Sequence, residues 1–154
     1  MSAQIRLVEV TDANRAAVAA VRVDPAQERF VASVEKSFQH AAENPAARPW
    51  FRAVCDGDVP VGFVMLSWNV EPGAGVYGPY FLWRLLVGAG FQGRGYGRAI
   101  LDEVVALLRA EGAAELLTSY VPGDGSPEPF YRSYGFVPTG ETDEDGEILL
   151  RLPL

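Results

Sequence analysis

The chain is poor in the residues that build disulfide and metal sites. Its 154 residues include one cysteine, Cys55, and one histidine, His40. One cysteine excludes an internal disulfide framework and a cysteine-rich metal site, and it fits a protein of a reducing compartment. No feature of the sequence links these two residues. We therefore expect Cys55 to be a buried strand residue, and we expect no metal site.

Positive charge and long apolar runs are also scarce. The formal net charge is −7, which argues against nucleic acid and anionic membranes as partners. No apolar stretch approaches the ~18 residues of a membrane-spanning helix, and residues 1–10 lack the pattern of a signal peptide. We therefore expect a cytoplasmic protein. Hydrophobic residues make up 49% of the chain, enough for one domain over residues 1–154.

The spacing of apolar residues predicts alternating strands and helices. The predicted strands are 4–10, 50–55, 59–68, 80–87, 116–121, 136–140 and 147–152. The predicted helices are 16–21, 25–44 with a possible break near residue 32, one that begins around residue 97, and 129–134. Asp56-Gly57-Asp58 predicts an antiparallel hairpin between the second and third strands. The strand over 80–87 is almost wholly apolar or aromatic, which is typical of the middle of a sheet.

Five glycines lie between Gly88 and Gly97, after the central strand and before an amphipathic helix. Free N–H groups and the positive end of a helix dipole make such a turn an anion site, most often for phosphate. A plain strand-to-helix turn needs fewer glycines. The sequence therefore predicts a phosphate-bearing ligand here.

Two nucleotide motifs compete for this turn. Residues Gly88 to Gly93 satisfy the dinucleotide pattern G-x-G-x-x-G, but the helical pattern begins only around Gly97. The early antiparallel hairpin also breaks the alternation that a dinucleotide fold requires. A phosphate loop of the Walker type fails because no Lys-Ser or Lys-Thr follows the glycines. A nicotinamide or flavin fold remains a competitor at this point.

A third interpretation comes from resemblance to a family. Gln92-Gly93-Arg94-Gly95-Tyr96-Gly97 resembles the Q/R-x-x-G-x-G/A motif of the GNAT superfamily of N-acetyltransferases, and residues 129–136 resemble its F-Y-x-x-x-G-F segment. The resemblance implies an α/β fold with a mixed, mostly antiparallel sheet flanked by helices, and acetyl-coenzyme A as cofactor. The cofactor-binding residues it implies are Leu85, Leu86, Val87, Gln92, Gly93, Arg94, Gly95, Tyr96, Gly97, Arg98, Asp124 and Tyr131.

The resemblance narrows further to one branch. Residues 80–85, 119–122 and 135–141, taken with the glycine turn, are similar to the bacterial spermine/spermidine and diamine acetyltransferases. This implies direct acetyl transfer to a primary amine of a small molecule, a polyamine or diamine. The sequence departs from the branch at Asp124 and Pro127, where many relatives have Asn and Ala. An ionised Asp124 can accept a hydrogen bond but cannot donate one.

The chemistry assigns roles to a few residues. By the resemblance, Tyr131 protonates the thiolate of coenzyme A, and a phenol with a pKa near ~10 can do so. A carboxylate must deprotonate the substrate amine, and the candidates are Glu28, Glu35, Glu71 and Glu141. The candidate acceptor-binding residues are Glu35, Tyr80, Trp83, Arg84 and Tyr120. Strand alternation is expected to place Trp83 and Arg84 on opposite faces of the sheet.

Several alternatives stay open at this stage. The acceptor could be another amine, such as an aminoglycoside-like antibiotic or an amino acid. The chain could also be a non-catalytic acyl-coenzyme A binding module, an interpretation motivated by Asp124 and by the lack of an assignable base. A homodimer is the default expectation for a soluble assembly.

Overall fold

The computed structural model describes residues 4–154. The strands in this range are β1 (Arg6–Val8), β2 (Pro49–Asp56), β3 (Val59–Ser67), β4 (Phe81–Val87), β5 (Glu115–Tyr120), β6 (Val137–Thr142) and β7 (Ile148–Pro153). The α-helices are α1 (Arg15–Ala19), α2 (Val34–Glu43), α3 (Tyr96–Ala110) and α4 (Glu128–Tyr134). Short 3-10 turns occupy Pro25–Gln27, Pro45–Ala47 and Ala89–Phe91. Each predicted strand and helix in this range is present, within a few residues of its predicted ends, and the segment 25–44 is broken near residue 32 as the sequence suggested.

The strands form one seven-stranded sheet in the order β1-β2-β3-β4-β5-β7-β6. Neighbouring strands are antiparallel except for β4 and β5, which run parallel. The β4 strand is the fourth of the seven, so its predicted central place is confirmed. A mixed, mostly antiparallel sheet flanked by helices is the predicted fold class, which is also confirmed. The dinucleotide alternative fails, because its pattern falls on the Ala89–Phe91 turn ahead of α3.

The segment 25–44 breaks into a 3-10 turn and α2 because Ser33 caps the helix. The backbone of Ser33 is extended, and its Oγ accepts a hydrogen bond from the backbone N–H of Lys36 at 3.1 Å. The α2 helix then packs Val34 and Phe38 onto the sheet, where both are buried. The cap fixes where α2 begins, and the buried Val34 and Phe38 define the face that it turns toward the sheet.

The helices cover both faces of the sheet with separate apolar clusters. On one face α3 buries Ile100, Leu101, Val104 and Leu108 against β3, β4 and β5. On the other face α1 and α2 pack against Phe63 and other sheet residues. Cys55 is buried on β2, as predicted. None of the helices within residues 4–154 is both long and apolar enough to cross a membrane.

Candidate functional site

The β4 and β5 strands separate part of the way along their length. They pair only at Phe81 with Leu117 and at Leu82 with Thr118. Beyond Leu82 the strands no longer pair, and a gap opens between two neighbours in the middle of the sheet. Such a gap exposes backbone hydrogen-bonding groups that a continuous sheet would use.

The backbone of β4 shows which groups face this gap. The N–H of Gly88 donates to the carbonyl of Val61 on the β3 side at 2.8 Å. In an antiparallel pair the residues that bond to the partner strand alternate, so Leu86 bonds to β3 while Leu85 and Val87 face the opposite side. Leu85 and Val87 therefore direct their N–H and C=O groups toward the gap, where the carbonyl of Val87 already accepts a hydrogen bond from the side chain of Gln92. These are the strand positions at which the resemblance places the pantetheine arm.

The gap leads into a large cleft. Its volume is about 1040 Å³, at the upper end of the size of small-molecule and cofactor sites, about 300–1,000 Å³. The walls come from the 3-10 turn before α2, the start of α2, the second half of β4, the glycine turn, the end of β5 and the α4 helix. A cleft of this size has room for a long cofactor together with a small second substrate.

The glycine turn leaves its backbone open to the cleft. Gly93 and Gly95 have φ of +77° and +82°, a conformation that favours glycine. A Cβ at either position would meet no atom within 4 Å. Gly95 is the N-cap of α3 and makes no side-chain cap hydrogen bond, so the first N–H groups of the helix have no such partner. The open space beside this backbone fits a phosphate group, and any side chain at these positions would narrow that space.

Two side chains of the turn hold the structure together. The side-chain amide of Gln92 pairs reciprocally with Gln27, at 2.8 and 3.1 Å, and also donates to the carbonyl of Val87 at 3.0 Å. The hydroxyl of Tyr96 donates to Oδ2 of Asp56 at 2.5 Å, and this hydrogen bond raises the pKa of Tyr96. The side chains of Gln92 and Tyr96 thus fix the turn to neighbouring segments, and its backbone is left to meet a ligand. Gly97 lies close to α4, since a Cβ there would be 3.1 Å from the ring of Phe130.

The arginines of this region differ in position. Arg98 lines the cleft, and its guanidinium lies 5.2 Å from the ring centroid of Tyr134. Arg94 is exposed beside Phe91 and is not among the cleft residues. Of the two, Arg98 is the better placed to meet an anionic group in the cleft.

Asp124 does not line the cleft. Its backbone carbonyl instead accepts a hydrogen bond from Arg29 at 2.9 Å, and its side chain is exposed. The neighbouring residues Gly125 and Ser126 do line the cleft. Arg29 thereby joins the loop before α2 to the loop before α4.

Tyr131 lies on α4 with its side chain in the cleft wall. The residue is 6% exposed, and its ring packs against Phe130 and Phe136. Burial raises the pKa of Tyr131 to about 12, and the hydroxyl of Thr118 acts in the opposite direction. Thr118 itself donates to the carbonyl of Leu82 at 3.0 Å, at the point where β4 and β5 stop pairing. Tyr131 is therefore a protonated hydrogen-bond donor at neutral pH, beside the mouth of the gap.

The expectation that Trp83 and Arg84 lie on opposite faces is wrong. The register of β3 and β4 shifts between Met65 and Leu66, which leaves Trp83 as the extra residue of a β-bulge. Trp83 packs against the cluster beneath α1 and α2, and Arg84 bonds to His40 on α2. The bulge interrupts the alternation, so both side chains lie on the α2 side and both line the cleft.

Of the four glutamates predicted as bases, only Glu28 lines the cleft, and it is exposed. Glu35 is exposed outside the cleft, whereas Lys36, the next residue on α2, lines it. The others, Glu71 and Glu141, are exposed and lie outside the cleft.

Sequence reasoning missed Glu147. This residue is half-buried in the cleft wall, immediately before β7, and accepts a hydrogen bond from Oγ of Ser119 at 3.1 Å. The turn before it is held by Asp143, whose Oδ1 accepts the backbone N–H groups of Asp145 and Glu147, both at 2.9 Å. Only the pairing of β7 with β5 brings Glu147 to the cleft, and that pairing leaves no local signal in the sequence.

Tyr80 and Tyr120 are buried in the apolar core and do not line the cleft. The ring of Tyr80 packs edge-on against Trp68, with ring centroids 5.4 Å apart. The hydroxyl of Tyr120 donates to Glu128 at 3.2 Å. Their predicted contact with the acceptor is therefore not supported by their positions.

The charge of the cleft differs from that of the whole chain. Five cationic side chains line it against two anionic ones, although the net charge of the chain is −7. The cationic residues are Arg22, Arg29, Lys36, Arg84 and Arg98, and the anionic ones are Glu28 and Glu147. The cleft is thus locally suited to an anionic cofactor.

A split mixed sheet, an open glycine turn at a helix N-terminus and a protonated tyrosine beside the split define a class of acyl-coenzyme A dependent transferases. The sequence profile of the acetyltransferase (GNAT) family matches residues 15–136. The chain belongs to this family, whose members use acetyl-coenzyme A. No curated protein matches the chain in sequence.

Solved structures share the fold at low sequence identity. An acetyltransferase from Thermus thermophilus is 21% identical with a TM-score of 0.75, and the match covers 100% of both chains. The paia N-acetyltransferase from Thermoplasma acidophilum, solved with coenzyme A, is 12% identical with a TM-score of 0.65, over 98% of this chain and 99% of that one. N-acetylglutamate synthase from Neisseria gonorrhoeae, solved with coenzyme A and N-acetyl-glutamate, is 16% identical with a TM-score of 0.67, over 100% of this chain and 36% of that one.

Proposed function

We propose that this protein transfers the acetyl group of acetyl-coenzyme A directly to a primary amine of a small molecule, with Tyr131 as the general acid. The observation that carries the proposal is the position of Tyr131, protonated and lining the cleft beside the point where β4 and β5 separate. When bound, acetyl-coenzyme A supplies an acetyl group activated as a thioester. A positioned acid of this kind contributes about 10²- to 10⁴-fold to a rate.

The residues that would hold the cofactor fall into two groups. The backbone of Leu85 and Val87 would pair with the pantetheine arm, and one of their N–H groups would polarise the thioester carbonyl. The backbone N–H groups from Gly93 to Gly97 would bind the pyrophosphate at the N-terminus of α3. The open space at Gly93 and Gly95 supports this assignment, because both positions admit a ligand close to the main chain.

We assign the role of general base to Glu147. An alkylammonium has a pKa near ~10 and must lose a proton before it can attack the thioester. Glu147 is a half-buried carboxylate in the cleft wall, held by Ser119, and it can accept that proton directly or through water. Glu28 also lines the cleft, but its side chain is exposed and forms no hydrogen bond with another side chain or with the backbone of residues 4–154.

The acceptor class is the finer part of the proposal. The resemblance implies a polyamine or diamine, and Glu28 and Glu147 would attract a cation in the cleft. Five cationic side chains in the same cleft act against a polycation. Polyamines, aminoglycosides and amino acids are therefore separate arms of the substrate test. N-acetylglutamate synthase, which shares the fold, was solved with an acetylated amino acid.

The non-catalytic binding module is less well supported than the enzyme. It rested on Asp124 and on the lack of an assignable base. Asp124 lies outside the cleft, and Glu147 is a carboxylate inside it. A module that only binds the cofactor has no need for a protonated tyrosine in the cleft wall.

The test of the proposal is Tyr131→Phe, with Tyr134→Phe as the matched control. Both tyrosines lie on α4, but the hydroxyl of Tyr134 donates to Asp102 at 2.7 Å, outside the cleft. We expect Tyr131→Phe to lower kcat for thiol release about 10²- to 10⁴-fold while the Kd for acetyl-coenzyme A stays nearly constant. Tyr134→Phe should keep the wild-type kcat. Equal kcat in the wild type and Tyr131→Phe would remove Tyr131 from the reaction.

A further inference from the structure

Arg84 is a half-buried cation in the cleft wall that has no carboxylate against it. Its Nη1 donates to the carbonyl of Trp83 at 2.9 Å and its Nη2 to Nδ1 of His40 at 2.8 Å. Its Nε is buried without a partner, and none of the ion pairs within residues 4–154 includes Arg84. Burying an unpaired charge is costly, so an arginine in this position is suited to an anion that comes from outside the chain.

His40 holds this guanidinium in place without adding a charge. Burial, followed by the charges of Arg84 and Lys36, lowers the pKa of His40, so the ring is neutral near pH 7 and Nδ1 can accept the hydrogen bond. Lys36 lies one helical turn before His40 on α2 and also lines the cleft. Two cationic groups therefore face the same part of the cleft, one fixed and one on a flexible stem.

This pair lies away from the phosphate end of the cleft. Arg84 precedes Val87 by three residues on β4, about 10 Å of extended chain farther from the glycine turn. Its charge is therefore not needed for the pyrophosphate, which has the backbone of the turn and Arg98 nearby. The Arg84 end of the cleft is the part left for the acceptor.

A carboxylate of the protein also reaches this end. Glu147 and Arg84 both line this cleft but do not form an ion pair within 4.0 Å. Burial lowers the pKa of Arg84, and the charge of Glu147 acts in the opposite direction. The acceptor end thus offers a negative group for an ammonium and positive groups for an anion. A molecule that carries both charges is complementary to it, and a polyamine is not.

We propose that the acceptor is an amino acid or a similar amine with a carboxylate, and that Arg84 and Lys36 bind this carboxylate while the amine meets Glu147. This rests on the proposed acetyltransferase function and narrows its substrate class. Arg84 is a specificity residue here. A planar guanidinium can bind a carboxylate through two parallel hydrogen bonds, which selects a carboxylate over a neutral amide.

The test compares three forms of one acceptor. Thiol release is first measured with the standard amino acids, with β- and γ-amino acids, and with putrescine and spermidine, all at saturating acetyl-coenzyme A. The best amino acid is then compared with its carboxamide and with its decarboxylated amine. We expect kcat/KM for the amino acid to exceed both by about 10- to 100-fold, the effect of charge-assisted hydrogen bonds.

The variant Arg84→Gln should remove this preference. We expect it to raise KM for the amino acid about 10- to 100-fold and to lower kcat/KM for the carboxamide much less, with KM for acetyl-coenzyme A unchanged. Arg84→Lys should restore part of the loss. Arg52→Gln is the matched control, because Arg52 on β2 also donates to the preceding carbonyl, of Phe51 at 2.8 Å, but lies outside the cleft. It should keep the wild-type preference.

The possible results distinguish a failure of the proposed acceptor class from a failure of the proposed acetyltransferase function. Equal turnover of the amino acid and its carboxamide, or turnover of spermidine and putrescine alone, would overturn the proposal that the acceptor carries a carboxylate. The proposed acetyltransferase activity would not be affected by either result. Absence of thiol release with every amine would overturn the acetyltransferase itself. If Arg84→Gln does not fold, Lys36→Gln replaces it, since Lys36 is exposed on α2. An unchanged KM for the amino acid in Lys36→Gln would then contradict the proposal.

Discussion

The variant Gly95→Ala tests whether the glycine turn binds the cofactor, because the added methyl group strains the backbone and also occupies space in the cleft. Gly95 has φ of +82°, and a Cβ there would meet no atom of the protein within 4 Å. Holding alanine in the left-handed conformation costs about 1–2 kcal/mol. Gly95→Ala should therefore fold, with its Tm lowered by about 2–8 °C. The new methyl would occupy space that the cofactor pyrophosphate requires.

The loss of affinity can be estimated from the hydrogen bonds at stake. Displacing the pyrophosphate from one backbone N–H removes a hydrogen bond to a charged group, about 1.5–3 kcal/mol. That corresponds to a Kd for acetyl-coenzyme A raised about 10- to 150-fold. Isothermal titration of the folded variant with acetyl-coenzyme A measures this value directly.

Gly112→Ala is the control for strain alone. Gly112 follows the opposite end of α3 and has φ of +78°, and a Cβ there would likewise meet no atom within 4 Å. It should lose about as much stability as Gly95→Ala, about 1–2 kcal/mol, and bind acetyl-coenzyme A like the wild type. A wild-type Kd in Gly95→Ala, or an equal loss of affinity in both variants, would refute the assignment of the glycine turn.

Three further predictions concern protons and the anchoring of the turn. Glu147→Gln should lower kcat/KM at pH 7 about 10- to 100-fold and recover as the pH approaches the ~10 of a free amine, whereas Glu144→Gln should match the wild type at every pH. Because burial raises the pKa of Tyr131 to about 12, its phenol stays protonated through pH 10; a fall in kcat between about pH 8 and 10 that is lost in Tyr131→Phe would contradict this. Tyr96→Phe should lower the free energy of unfolding at neutral pH, since it removes the hydrogen bond to the exposed Asp56. The hydrogen bond raises the pKa of Tyr96, so its contribution is complete below about pH 10 and is lost as the pH rises through the pKa of the folded state. Urea titrations of the wild type and Tyr96→Phe should therefore show a difference in the free energy of unfolding at neutral pH that disappears at alkaline pH. A difference that stays constant with pH would count against this hydrogen bond.

The sequence predicts the parts of the site that lie in continuous segments. The glycine turn, the strand before it and the segment around Tyr131 each carry a local pattern, and the structure brings them to one cleft. The orientation of α2 is harder to predict, because Glu35 and Lys36 are adjacent and the packing of Val34 and Phe38 on the sheet leaves Lys36, and not Glu35, at the cleft. Successive residues of a helix differ by about 100° of rotation, so a helix turned by one residue would present Glu35 to the cleft in place of Lys36 and reverse the charge there.

The remaining parts depend on contacts between distant segments. The bulge at Trp83 arises from the register of β3 against β4, which neither strand specifies alone. Glu147 reaches the cleft because β7 pairs with β5 and lies between β5 and β6. The position of Arg84 at the proposed acceptor end depends on this bulge and on His40, which lies 44 positions earlier. Such pairings are set by packing across the whole sheet and leave no pattern at the residues themselves.

The central claim, acetyl transfer from acetyl-coenzyme A to an amine, is tested most directly by measuring both products in one reaction. The wild-type protein is incubated with acetyl-coenzyme A and a panel of polyamines, aminoglycosides and amino acids, and the released thiol and the acetylated amine are quantified by absorbance and mass spectrometry. We predict one N-acetylated amine, formed in an amount equal to the thiol released. Thiol release without any acetylated amine, or binding of acetyl-coenzyme A with neither product, would contradict the account.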